Sequence, residues 1–284
     1  MRRNQHGRGA RARQNLNAAR PLSRRLVKHR PRKRFGQNFL VDAGVIAAIV
    51  AAIGPARADC IVEIGPGLGA LTRPLLAAVE QMHAIEIDRD LAAALRHEFA
   101  PRLTVHAADV LGFDFATLGN GLRVVGNLPY NISTPLLFHI ARYCAQVNDI
   151  HVMLQKEIVA RMVAAPSDSS YGRLSVMLQY RFELEKLIDV PAAAFNPAPK
   201  VESAVVRLTP LRPPPFAARD EALFARIVKT AFSQRRKTLR NSLSAFLAEA
   251  DLRVLAIAPI ARAQQLSVAQ FVAIADYISC RGIS

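Results

Sequence analysis

An α/β fold with a parallel sheet, followed by a small all-helical unit, is predicted for this 284-residue chain by three observations. Short apolar runs alternate with helix-period segments as far as Leu208, the pattern of a sheet with helices on both faces. The first strand-to-helix turn is a glycine loop, Gly65-Pro66-Gly67-Leu68-Gly69, which lets backbone approach a ligand at a helix start. Beyond the linker marked by Pro210 and Pro213-Pro214-Pro215, every periodic segment is helical.

The elements follow in order. Residues 42–53 carry Val45, Ile46, Ile49, Val50 and Ile53 at helical spacing. Residues 60–64 are an apolar strand, and 70–79 form the helix after the glycine loop. Strands are expected at 82–87, 103–107 and 122–126. A helix over 133–140 opens with the hydroxyl residues Ser133 and Thr134 as caps and has Pro135 in its first turn. Residues 148–155 read as a strand, 156–164 and 171–182 as helices. Residues 183–190 and 201–208 resemble a closing antiparallel pair with a loop around Phe195 between them. The last unit holds helical segments at 220–232, 238–250, 252–257 and 268–279. Three units result: a disordered leader over 1–34, a sheet domain over 35–210 and a helical domain over 216–284.

Composition bounds the class of protein. An apolar fraction of 51% suffices for a core, and no apolar run is long enough to cross a membrane. Three scattered cysteines, Cys60, Cys144 and Cys280, argue for a reducing compartment and against structural zinc. A cytoplasmic protein without structural zinc is therefore expected; no metal and a monomeric state are expected as well. Residues 1–41 hold 13 of the 38 Lys and Arg and no acid. The leader reads as a solvated tail or misassigned start, or as an arm that binds nucleic acid through phosphate contacts. Its arginine content also fits an organellar transit peptide, against which stands a single serine, Ser23.

Chemistry concentrates where strands end. Gly126-Asn127-Leu128-Pro129-Tyr130 places an amide, proline-fixed carbonyls and an aromatic ring between a strand and a helix, the edge at which open α/β sheets bind ligands. Such a set suits a planar base with an exocyclic amino group; the plain alternative is a proline turn with a packed tyrosine. Glu86, 21 residues after Gly65, is spaced to grip ribose hydroxyls, or is a solvated strand-end acid. Asp109 accepts from an adenine amino group or caps a turn. The basic cluster Arg235, Arg236, Lys237 and Arg240 is a solvated helix junction or, with Lys200, a phosphate-tracking surface.

In this order, Glu63-Ile64-Gly65-Pro66-Gly67-Leu68-Gly69, Glu86, Asp109 and Asn127-Leu128-Pro129-Tyr130 resemble the S-adenosylmethionine-dependent adenine-N6 methyltransferases. Three further segments narrow the resemblance: Phe35-Gly36-Gln37-Asn38-Phe39-Leu40, Phe195 to Ser203, and Ala231 to Asn241. With them the chain, from about Arg34 onward, looks like the bacterial 16S ribosomal RNA adenine dimethyltransferases, the KsgA/RsmA family. That resemblance implies a Rossmann-like class I methyltransferase sheet and dimethylation of two adjacent adenosines in the 3′-terminal hairpin loop of 16S rRNA, within the 30S subunit or its precursor. S-adenosyl-L-methionine is the implied cofactor. Gly65 and Gly67 would border its methionine part, Glu86 its ribose and Asp109 its adenine, with Gln37, Asn38 and Leu40 closing over it. Asn127 would lie between cofactor and target nitrogen. Leu128 or Pro129 would supply a second carbonyl acceptor, and Tyr130 and Phe195 would sandwich the base. Alternatives are a 23S rRNA adenine methyltransferase conferring macrolide resistance, and a non-catalytic ribosome-assembly factor. Asn127-Leu128 and the 235–241 segment favour the 16S enzyme.

Overall fold

The computed structural model describes residues 37–281 with the exception of Arg235; the leader and Arg235 lie outside the described residues. The sheet half contains β1 (Phe39–Leu40), α1 (Ala43–Ile53), β2 (Cys60–Ile64), α2 (Thr72–Ala78), β3 (Met82–Ile85), α3 (Arg89–Phe99), β4 (Leu103–His106), β5 (Leu122–Asn127), α4 (Ser133–Ile140) and β6 (Val147–Gln155). It continues with α5 (Lys156–Val163), α6 (Arg173–Gln179), β7 (Phe182–Val190), β8 (Phe195–Asn196) and β9 (Ser203–Pro210). Helices α7 (Glu221–Ala231), α8 (Leu239–Ser242), α9 (Glu249–Val254) and α10 (Val268–Cys280) follow.

Seven strands form one sheet in the order β4-β3-β2-β5-β6-β9-β7. β2 to β6 run parallel, while β9 is antiparallel to both β6 and β7. The expected closing pair is present, with β9 inserted between β6 and β7. After β4 the chain returns to the other side of β2, so the strand order reverses between β2 and β5. Side chains alternate across the sheet. Val62, Val124 and Val152 pack on one face with Leu136 and Ile140 of α4. Ile61, Val125 and Met153 pack on the other with Ile49, Leu75 and Leu95. At the reversal the two central strands approach closely: a Cβ on Gly126 would stand 2.5 Å from the Ile64 carbonyl oxygen.

Three local expectations need correction. Ser133 does not cap α4; it is the first helical residue, and its hydroxyl donates to the Pro129 carbonyl at 3.1 Å. The helix expected over 171–182 is shorter, because Phe182 is buried as the first residue of β7. The helix expected over 238–250 is two pieces. Ser244 bonds the Asn241 carbonyl at 3.3 Å, and Asp251 accepts the Ala248 N–H at 2.8 Å, starting α9 afresh. Polar side chains that compete for backbone groups end one helix and open the next.

A third core joins the helical unit to the sheet half. Phe224, Ile227, Phe271 and Ile274 pack with Tyr171, Val176 and Tyr180 from the α6 region. The Tyr171 hydroxyl donates to the Leu266 carbonyl at 2.9 Å, and the Tyr180 hydroxyl accepts the Ala218 N–H at 3.0 Å. Among the described residues no helix is long and apolar enough to cross a membrane.

Candidate active site

The reversal of strand order opens a cleft at the C-terminal ends of β2, β3 and β5. Its first wall is the glycine loop. Gly65 and Gly67 have φ of +64° and +56°, a region that residues with a Cβ avoid. A Cβ on Gly67 would also meet the Phe39 ring at 3.1 Å. Glycine at this position therefore keeps the loop low against β1.

Glu86 fixes that loop. The residue is only 5% exposed, and its two carboxylate oxygens accept the N–H groups of Gly67 at 3.2 Å and Asp88 at 2.9 Å. Burial pushes its pKa up, and the two N–H bonds oppose that rise. Each oxygen keeps a further lone-pair site for a ligand hydroxyl. Asp109 caps a turn and also lies at the cleft edge. One oxygen accepts the Leu111 N–H at 2.9 Å, capping a turn, while the exposed residue borders the cleft.

The strand-end motif forms the opposite wall. Asn127 Nδ2 donates to the Asn38 carbonyl at 3.0 Å. A carbonyl partner accepts and cannot donate, so this bond settles which way round the amide stands and leaves Oδ1 as the acceptor for a ligand. Leu128 is 1% exposed, and its N–H bonds Met153 of β6 at 3.1 Å. The Pro129 carbonyl already accepts from Ser133 and from the Ile132 N–H at 3.2 Å. Tyr130 is partly buried, and its hydroxyl shares a 2.6 Å hydrogen bond with Ser203 at the start of β9.

Gln37, Asn38, Leu40, Gly65, Gly67, Glu86, Asp109 and residues 127–130 all border this one cleft. Phe195 does not. It is 4% exposed in β8, opposite Leu40 in the antiparallel β1–β8 pair, and its ring belongs to the core beside Val205. In this conformation the ring lies in the core and does not line the cleft, where the expectation had it offering a second face to a base. Lys200 is exposed in the loop after β8. Arg236 and Lys237 are exposed at the turn before α8, and Arg240 is within 3.4 Å of Glu249.

Two acids that carried no assigned role also belong to this region. Glu63, on β2, is 2% exposed and accepts from the Thr72 hydroxyl at 2.6 Å. Burial pushes its carboxyl up to about 7. Its place at the last inward position before the glycine loop was the available signal. Asp88 is fully buried, caps α3 through the Asp90 N–H at 3.1 Å and accepts from Gln37 Nε2 at 3.4 Å. Nothing in the sequence announces that 51-residue link. No group of three or more His, Cys, Asp or Glu among the described residues is arranged to hold a metal ion.

Comparison with known proteins agrees with this geometry. The family model of ribosomal RNA adenine dimethylase matches residues 28–279. A ribosomal RNA small subunit methyltransferase A from Thiobacillus denitrificans is 59% identical over 254 residues, 89% of this chain and 100% of that protein. A protein of the same name from Nitrosospira multiformis is also 59% identical, covering 89% of this chain and 98% of its own. Among solved structures, the 23S rRNA methyltransferase ErmE superposes with a TM-score of 0.68 at 26% identity, covering 85% of this chain and 100% of its own. A dimethyladenosine transferase from Plasmodium falciparum superposes with a TM-score of 0.76 at 24% identity, over 86% of this chain and 98% of its own, a likeness of fold. With nearly the whole described chain inside the family match, and relatives 59% identical over 89% of it, the protein belongs to the ribosomal RNA adenine dimethylase family.

Proposed function

We propose that this chain transfers methyl groups from S-adenosyl-L-methionine to N6 of two adjacent adenosines in the 3′-terminal hairpin loop of 16S rRNA, yielding N6,N6-dimethyladenosine during small-subunit biogenesis. The observation that carries the reading is the fixed amide of Asn127, its Nδ2 held by Asn38 and its Oδ1 left to accept, at the strand end beside the glycine loop. Relatives at 59% identity bear small-subunit names, which favours this substrate over the 23S alternative.

The cleft fits the cofactor by its chemistry. Glu86 offers a buried carboxylate to ribose hydroxyls, Asp109 an exposed one to the adenine amino group, and the loop at Gly65 and Gly67 gives close backbone approach. When bound, the cofactor supplies a sulfonium-activated methyl group, so the protein needs to orient the acceptor and no covalent nucleophile. Asn127 Oδ1 and a backbone carbonyl accept the two N6–H groups, favour a pyramidal nitrogen and aim its lone pair. The Pro129 carbonyl already has two donors, so the Leu128 carbonyl is assigned as the second acceptor. The nitrogen gains a methyl and releases one proton to solvent in each transfer. Orientation of this kind contributes about 7–11 kcal/mol in well-placed systems. Tyr130 stacks on the flipped base, a contact on the order of 1–3 kcal/mol. Lys200, Arg236, Lys237 and Arg240 are assigned to phosphate contacts with rRNA in the 30S subunit or its precursor. The chain is proposed to act as a monomer.

The test is incubation with labelled cofactor and 30S particles lacking the modification, followed by mapping of the label. Label confined to two adjacent 3′-terminal adenosines is expected, and Asn127→Ala should abolish most of it while RNA affinity is retained. Label only in 23S rRNA, or near-normal single-turnover rates in Asn127→Ala, would overturn the assignment.

A further inference from the structure

The Tyr130 ring is held at both ends. At its backbone end, the preceding Pro129 carbonyl takes the Ser133 hydroxyl at 3.1 Å and the Ile132 N–H at 3.2 Å. At its far end the phenol oxygen lies 2.6 Å from Ser203 Oγ, across 73 residues of sequence. Ser203 is itself fully buried and held as the first residue of β9, opposite Gln155 of β6 and Val190 of β7. Anchoring at both ends fixes the direction of the ring's long axis, and the preference of a phenol O–H for the ring plane lets the Ser203 bond bias the tilt about that axis. With Phe195 turned into the core, Tyr130 is the one of the two expected rings that faces the cleft.

The two methyl transfers do not place equal demands on that tilt. Before the first, adenine N6 carries two hydrogens, and both acceptors, Asn127 Oδ1 and the Leu128 carbonyl, have a partner. Before the second, N6 carries one hydrogen and one methyl, so one of the two acceptors has lost its bond. Orientation that two hydrogen bonds supplied must then come from one hydrogen bond and the stacking plane.

We propose that Ser203 is a positioning residue that fixes the tilt of Tyr130 and thereby sustains the second methylation more than the first. This rests on the reading of Tyr130 as the base-stacking ring. Ser203 touches neither cofactor nor base in this scheme; it acts through the phenol hydroxyl, which is spent on Ser203 and is not a catalytic donor.

The experiment is single-turnover methylation of unmodified 30S particles, with separate quantitation of mono- and dimethyladenosine, for Ser203→Ala, Tyr130→Phe, the double variant and Tyr130→Ala. Tyr130→Phe keeps the ring and loses the same bond, so it tests the inference even if Ser203→Ala folds poorly. Ser203→Ala should slow the second transfer about tenfold more than the first, the scale of one neutral hydrogen bond, and monomethyladenosine should accumulate. Tyr130→Phe should match it, and the double variant should add nothing further. Equal slowing of both steps, or additive losses in the double variant, would overturn the role of Ser203 while leaving the stacking role of Tyr130 standing if Tyr130→Ala is impaired. Normal rates at both steps in Tyr130→Ala would overturn the stacking reading and this inference together.

Discussion

Replacing Glu86 by alanine tests the cofactor side of the cleft at its most constrained point. The carboxylate is 5% exposed and holds the Gly67 and Asp88 N–H groups, so the substitution acts in two ways. First, it removes the acceptor assigned to the ribose. A hydrogen bond to a charged group is worth about 1.5–3 kcal/mol, which weakens cofactor binding roughly 10- to 150-fold. Second, it orphans the N–H of Asp88, a residue with no exposure. An unmet buried donor costs about 1–3 kcal/mol, or a fall in Tm of roughly 2–10 °C for a domain of this size. Titration calorimetry with S-adenosylmethionine and a thermal melt on the same sample separate the two effects. A lower Tm with a Kd within threefold of the wild type would show that Glu86 only braces the glycine loop, and would remove it from the binding site.

Other expected outcomes follow from the same geometry. Glu63 holds its proton up to about pH 7 in the folded state, against an ordinary value of 4.5. Between those values the folded protein binds more protons than the unfolded chain, so stability falls as pH rises through that window and levels off above it, by about 3 kcal/mol. Glu63→Gln should flatten this part of the Tm–pH curve, and parallel curves for variant and wild type would contradict the burial argument. Gly126→Ala forces β5 away from the Ile64 carbonyl and should cost about 1–3 kcal/mol in denaturant melts; unchanged stability would show that the two strands spread freely. If the basic leader is an RNA arm, deleting residues 1–30 should lower the salt slope of RNA binding by roughly 0.7–1 per lost phosphate contact and leave cofactor affinity intact. An unchanged slope would make it a solvated tail.

What the sequence disclosed and what it hid divide along contact distance. Strand β2, the glycine loop and helix α4 depend on local apolar period and on glycine and proline, and they appear where the pattern places them. Glu86 was legible because a fixed strand–helix–strand path carries it back to Gly67 after 19 residues. By contrast, the bond from Asn127 to Asn38 spans 89 residues, and that from Tyr130 to Ser203 spans 73. Both partners were visible as motif members, but their mutual roles depend on which strands lie side by side. Phe195 shows the converse case: an aromatic residue in a functional segment turns inward because β8 pairs with β1, a contact across 155 or more residues that no local pattern encodes. The single helix expected over 238–250 failed for a smaller reason, the competition of Ser244 and Asp251 for nearby backbone groups.

The core shared by α6, α7 and α10 gives the molecule something a flexible linker would not, a caliper. Tyr171, Val176 and Tyr180 belong to the half that holds the cleft, yet they complete the interior of the helical unit. If the proposed function holds, one jaw is the strand end at Asn127 and the other the basic turn at Arg236 and Lys237, and the shared core packs their two halves against each other. A substrate gripped at one jaw would present to the other whatever lies at that reach. On the proposed reading, in which that turn contacts rRNA, choice of nucleotide would become partly a measurement of distance along folded RNA, set by this packed seam.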